Sequence, residues 1–170
     1  KIVCTETIFQ QHKSKNMKKY SPEWWSMLTP QMIGNETESL VEGVLKEWNK
    51  KQAFSWHRLP DTKSARMNMI AAQPADYIYR CDKKAGFIEV KGLAHAYRLP
   101  KDNISQLPTL HKWALAGSDD VVLVHHYMHG VWRALDPRIL ILGQPSWDLR
   151  NVEAFATPAA ALLSTGYFGC

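Results

Sequence analysis

The sequence predicts a mixed α/β domain in which a mixed β-sheet is flanked by helices. Two observations lead there. Between Asn35 and Lys51 the apolar residues Val41, Val44, Leu45 and Trp48 fall at i, i+3, i+4 and i+7, the stripe of a one-sided helix. Downstream, strand-like segments come in pairs around polar turns, with a second helical stretch between the pairs. The order is helix, strand, strand pair, helix, strand pair, which calls for a sheet covered by helices.

Taken in order, residues 1–31 are polar and basic up to Lys19 and then carry Pro22, Trp24, Trp25 and Pro30, as an arm or short helices packed on the domain would. Ala53 to Leu59 alternates, with Phe54, Trp56 and Arg58 on one face, and Pro60 to Asn68 reads as an exposed loop. Ala75–Arg80 and Gly86–Lys91 form a hairpin about the polar turn Cys81-Asp82-Lys83-Lys84-Ala85. Asn103 to Ala116 is a helix ending at Gly117, which tolerates Pro108 only near its first turn. Val121–Tyr127 and Val131–Leu135 make a second hairpin around His129-Gly130. Beyond Pro137 the apolar pieces are short and are broken by Gly143, Pro145 and Pro158.

With 170 residues, 45% of them hydrophobic, the chain suits one domain. It divides into an N-terminal arm (1–31), a core (35–135) and a C-terminal extension (138–170). A net charge of +5 and a pI near 9.1 permit a polyanionic partner without demanding one. Cys4, Cys81 and Cys170 are odd in number and far apart, which fits neither a disulfide framework nor paired zinc ligands and implies a reducing, cytoplasmic setting. No apolar run reaches the ~18 residues of a membrane span, and Lys1-Ile2-Val3-Cys4 does not open a signal peptide.

The residues that carry chemistry are Asp76, Glu89 and Lys91. Hydrolysis of a phosphodiester at neutral pH needs a hard divalent cation held by oxygens, a nucleophilic water and charge stabilisation at phosphorus. On a strand Glu89 and Lys91 share one face while Ile88 and Val90 point to the other. A turn symmetric about residues 83 and 84 sets Asp76 opposite Lys91 and beside Glu89. Asp76 and Glu89, with the Val90 carbonyl, would coordinate Mg²⁺, or Mn²⁺ in its place, and Lys91 would position or help deprotonate the attacking water. The competing reading of Glu89-x-Lys91 is a solvent-exposed cross-strand ion pair.

A third carboxylate comes from the first helix. At ~100° per residue Glu38 lies about 75° from the centre of the apolar stripe, closer than Glu36, Glu42 or Glu47. Asn35-x-x-Glu38 is equally a capping box, and Glu42 is the substitute acid. Asn103-x-x-Gln106 has the same two readings: a cap, or a Gln that orients water or holds phosphate near the metal. Arg58, Lys63, Arg66, Arg98 and Lys101 are candidate DNA phosphate contacts, each of which could equally be solvated charge. His125 and His126 point to opposite sheet faces and, with His129, lack the companions of a metal set. The tryptophans are core or interface residues before they are a stacking platform.

Pro74-Ala75-Asp76, the hairpin and Phe87-Ile88-Glu89-Val90-Lys91-Gly92 resemble the PD-(D/E)xK nuclease superfamily, with Glu38 in the place of its upstream acid. Arg98-Leu99-Pro100-Lys101 followed by Gln106 in a helix is similar to RecU-type Holliday-junction resolvases, especially small phage-encoded ones. The match covers roughly residues 35–135. It implies a restriction-endonuclease-like fold and a homodimer, in a bacterial cell or a phage-infected host, that nicks opposed strands of a four-way junction. It also implies catalytic or metal roles for Asp76, Glu89 and Lys91, and then for Glu38 and Gln106. The 60–70 loop stands where such resolvases carry a longer stalk, and residues 1–31 and 138–170 match nothing in the family. Two alternatives remain: another nuclease of the superfamily, either a recombination exonuclease or a sequence-specific cutter, and a DNA-binding module without catalysis. The intact acids and Lys91 speak against the second.

Overall fold

The computed structural model describes residues 17–51, 53–60 and 73–169. Helices α1 (Pro22–Ser26) and α2 (Pro30–Trp48) precede strands β1 (Phe54–Arg58), β2 (Tyr77–Cys81), β3 (Lys84–Leu93) and β4 (Arg98–Pro100). Helix α3 (Leu107–Leu115), strands β5 (Val121–His126), β6 (Val131–Leu135) and β7 (Ser146–Asp148), and helix α4 (Pro158–Ser164) follow. Five strands form one mixed sheet in the order β1-β2-β3-β5-β6, in which only β3 and β5 run parallel. β4 and β7 pair separately. The chain is thus the mixed sheet between helices that its sequence pattern implies.

Each face of the sheet has its own core. Val41 and Leu45 of α2, Ala161 and Leu162 of α4 and Phe168 pack against Tyr77, Tyr79, Ile88, Val90, Val121 and Leu123. Leu107 and Leu110 of α3, with Leu99 and Trp147 of the small sheet, cover Phe87, Leu93, Val122 and Val124 on the other side. Two glycines allow close approaches. A Cβ on Gly86 would sit 2.4 Å from the Asp119 carbonyl oxygen, where the chain enters β5, and one on Gly92 would sit 2.9 Å from Thr37 Oγ1 of α2.

Several expectations are corrected. Helix α2 starts at Pro30, not Asn35: the Thr29 side chain accepts the Met32 amide hydrogen at 3.3 Å, and Pro30 occupies the first turn, where its missing N–H costs nothing. Asn35 and Glu38 therefore lie inside the helix, and the capping-box reading of Glu38 is wrong. Asn35 instead accepts a hydrogen bond from the Gln31 side chain at 3.0 Å. The second helix is shorter than expected, because Lys101–Asn103 is a 3-10 turn and Pro108 confines the α-helical start to Leu107. In the hairpin Cys81 pairs with Lys84 and Tyr77 with Ile88, so the turn is the two residues Asp82-Lys83, with Asp82 at φ 53°. Continued one step, that register sets Asp76 across from Glu89 rather than Lys91.

No helix among the described residues is long and apolar enough to cross a membrane. Cys81 is one half of a disulfide, against the expectation of no disulfide, and the other two cysteines, Cys4 and Cys170, lie outside the described residues. The inference of a reducing compartment loses that support.

Candidate functional site

The site forms where the sheet opens. β2 covers β3 only as far as Ile88, so from Glu89 to Leu93 the strand has β5 along one edge and, among the described residues, no strand along the other. Asp76, one residue before β2, fills the start of that edge: its Oδ2 accepts the Val90 amide hydrogen at 2.7 Å. A residue's N–H and C=O leave a strand on the same side, so the Val90 carbonyl also faces the Asp76 side. Helix α2 docks through Thr37 against Gly92, and its next residue, Glu38, reaches the same edge.

Glu89 is fully buried, with the flanking Phe87 and Leu93 of its own face in the α3-side core. That overturns the solvent-exposed ion pair. Its Oε1 is ion-paired with Lys91 Nζ without hydrogen-bond geometry, and Oε2 has no partner among the described residues. Burial, and then the charge of Asp76, push the Glu89 carboxyl up to about 7 against the pull of Lys91. Burial and Asp76 likewise raise Glu38, opposed by Arg58 and Lys91. Burial disfavours the Lys91 ammonium, but Glu89 and Asp76 outweigh it and hold its pKa above the ordinary value. The structure thus brings Glu38, Asp76, Glu89 and Lys91 into one coupled group.

Arg58 was expected as a phosphate contact. Period-two alternation on β1 turns it, like Phe54 and Trp56, toward α2, where its guanidinium pairs with Glu38 and, at 2.8 Å, with Glu42. Glu42 also pairs with Lys46 at 2.9 Å. Burial would raise the Glu42 carboxyl, but the bonds from Lys46 and Arg58 bring it below its ordinary value. The Tyr77 hydroxyl stands 3.5 Å from Glu42 Oε1, and burial together with Glu38 and Glu42 keeps it neutral. Sequence reasoning missed both Arg58's pairing and Tyr77. The i, i+4 spacing of Glu38 and Glu42 was the available signal for the first.

Gln106 precedes α3 and makes no side-chain cap; its Oε1 accepts a bond from Ser105 at 2.9 Å, and no hydrogen bond links it to the four site residues. Arg98 and Lys101 are exposed at β4 and just after it. Lys63 and Arg66 lie outside the described residues. His125 stacks on its cross-strand neighbour Trp132 with centroids 4.1 Å apart, and His126 Nδ1 donates to the His95 carbonyl, so both are structural. Trp25, Trp132 and Trp147 are core residues, and Trp113 is half exposed.

No family model matches this chain, and no curated protein matches it. Among solved structures it is similar to Hjc, a Holliday junction resolvase from the archaeal hyperthermophile Archaeoglobus fulgidus, at 17% identity and a TM-score of 0.46. That likeness covers 70% of this chain and 96% of the other. It leaves the chemistry to the residues themselves.

Among the described residues no three His, Cys, Asp or Glu side chains form a ready metal set. Asp76 and Glu89, with the Val90 carbonyl beside them, are the groups that could hold a cation, and an oxygen-only set of this kind suits a hard one.

Proposed function

We propose that this chain is a Mg²⁺-dependent DNA nuclease hydrolysing phosphodiester bonds, with Mn²⁺ as a substitute, and that it resolves four-way junctions as a homodimer. The observation that carries the reading is the buried Glu89 carboxylate, with one oxygen that has no partner among the described residues and a second carboxylate beside it. An ionised group in that position is costly unless a cation meets it. Two carboxylates rather than a full protein cage suit Mg²⁺, which keeps waters and takes phosphate oxygens as ligands. When bound, the cation would supply Lewis-acid polarisation of the phosphoryl group and a more acidic water.

The chain's own groups have separable roles in this reading. Asp76 and Glu89 hold the cation, and Asp76 is itself oriented by the Val90 amide. Lys91 remains an ammonium between Glu89 and solvent, so it orients the water and offsets charge at phosphorus rather than accepting a proton. Glu38 adds a carboxylate at the same edge, held by Arg58. Arg98 and Lys101 supply exposed positive charge for DNA phosphates.

Support for the homodimer comes from exposed apolar residues on and beside α3, namely Trp113, Leu115, Ile139, Ile141 and Leu142. Opposed nicks need two sites related by a two-fold axis.

The test is cleavage of labelled four-way junction, linear duplex and single strand in Mg²⁺ and in EDTA. Paired nicks in the junction, absent in EDTA, are expected. No cleavage of any substrate overturns the nuclease reading, whereas a linear duplex cut as fast as the junction removes only the resolvase part.

A further inference from the structure

Beyond the carboxylate edge, β3 runs into a turn whose three successive carbonyls are tied down. The His95 carbonyl accepts from buried His126, the Ala96 carbonyl from Arg133 Nη1 at 2.9 Å, and the Tyr97 carbonyl from the Leu149 amide at 2.7 Å. His126 and Arg133 are 0% and 4% exposed, so buried polar groups fix this turn from beneath. What the turn presents is Tyr97, 54% exposed, with the Arg133 guanidinium carbon 5.5 Å from its ring centroid. Tyr97 and Arg98 line an open cleft of about 520 Å³, walled on the far side by Trp147, Asp148 and Arg150 of the β7 segment.

The cleft has the two parts that bind a nucleotide of unpaired strand. Tyr97 offers an exposed ring on a rigid support, and base stacking on an aromatic side chain is tolerant of sequence. Arg98 is fixed through Nε to Ser146 Oγ at 3.0 Å, which leaves its two terminal nitrogens without partners among the described residues. Arg150 is paired with Asp148, which orients it along the rim. His95, Tyr97, Arg98, Asp148 and Arg150 stand exposed around the cleft, so its charged side chains suit a solvated anion while Tyr97 and Trp147 supply apolar surface.

We infer that the cleft formed by Tyr97, Arg98 and the β7 segment is a subsite for one unpaired nucleotide of DNA, its base stacked on Tyr97 and its phosphate on Arg98. The inference rests on the nuclease reading, and names what that site recognises next to the cut: a strand with at least one base out of its pair. β3 links the two places directly, with Lys91 near its end and Tyr97 four residues past Leu93.

The test uses a short single-stranded oligonucleotide containing 2-aminopurine, with the full chain in Ca²⁺, reading both fluorescence and Kd. The expected result is quenching by the wild type, loss of quenching and about tenfold weaker binding in Tyr97→Leu, and retention of both in Tyr97→Phe. Quenching and Kd equal to wild type in Tyr97→Leu overturn the subsite. Weaker binding in Arg98→Ala with no effect of Tyr97→Leu also overturns it, because the cleft is then a phosphate contact only. If Tyr97→Leu does not fold, Tyr97→Gln takes its place against the Tyr97→Phe control: loss of the quench in Gln alone supports stacking, and an equal quench in Gln and Phe refutes it. Cleavage by the same wild-type preparation in Mg²⁺ tests the nuclease reading separately. A protein that cuts without quenching rejects the subsite alone, and one that quenches without cutting rejects the nuclease alone.

Discussion

Asp76 Oδ2 takes the Val90 amide hydrogen at 2.7 Å, which fastens one carboxylate to the strand that carries Glu89 and Lys91. An Asn at position 76 can still accept that bond through its carbonyl but brings no charge. Asp76→Asn should therefore melt near the wild type and cleave at least ~100-fold slower, while junction affinity stays within about tenfold. Gel-shift and single-turnover cleavage on one preparation measure both. Wild-type cleavage by Asp76→Asn would sink the proposed metal role.

Glu38 and Glu42 lie one turn apart and share Arg58, yet the charges of Asp76 and Lys91 act on Glu38 while Lys46 and Arg58 hold Glu42. Glu38→Gln should cleave at least ~100-fold slower with little change in melting temperature, since position 38 is helix interior and caps nothing. Glu42→Gln should cost no more than a few-fold in rate, because its ion-pair partners Lys46 and Arg58 are exposed and the amide can still accept from the Tyr77 hydroxyl. The opposite ranking would assign the upstream acid to Glu42.

Metal binding should appear as stability before it appears as rate. A ligand that binds only the folded chain stabilises it by about 2.7 kcal/mol at a hundredfold excess over Kd, so Mg²⁺ should raise the melting temperature in a saturable way. Glu89→Gln should abolish that rise, together with cleavage. Ca²⁺ should stabilise and support DNA binding without turnover, since its looser shell fills an oxygen site but positions water poorly. An equal Mg²⁺-dependent shift in Glu89→Gln would place the cation elsewhere.

His125 and His126 predict acid sensitivity that is independent of the metal. Burial pushes His125 down to about 3, with His126 adding to it, and His126 down to about 4, where the His95 carbonyl opposes the shift and Arg133 adds to it. The unfolded chain binds these protons near pH 6.5 and the folded chain only well below it. The stability they contribute is therefore complete above about 6.5 and is lost as pH falls toward 4, at about 1.4 kcal/mol per unit of depression. His125→Phe keeps a ring against Trp132 and should flatten that decline. Denaturant midpoints in EDTA from pH 7.5 to 4.5 give the comparison, and parallel curves for variant and wild type would refute the assignment.

The sequence by itself determined the features with a local period. The stripe of Val41, Val44, Leu45 and Trp48 marked α2, and alternation put Glu89 and Lys91 on one face with Ile88 and Val90 on the other, because side-chain direction follows from the dihedrals of a few residues. A local signal at the start of α2 was there too: Thr29-Pro30 is a cap and first-turn pair, outweighed by the more conspicuous Asn35-x-x-Glu38. Only the tertiary structure decided the rest. The parallel pairing of β3 with β5 joins residues more than 30 apart in sequence, and no spacing announces it. The depth of Glu89 depends on α3 and the small sheet closing over its face. Arg58's turn from candidate DNA contact to partner of Glu38 and Glu42 depends on α2 lying over β1. Burial and charge coupling are properties of what packs around a group, and that neighbourhood exists only once distant segments meet.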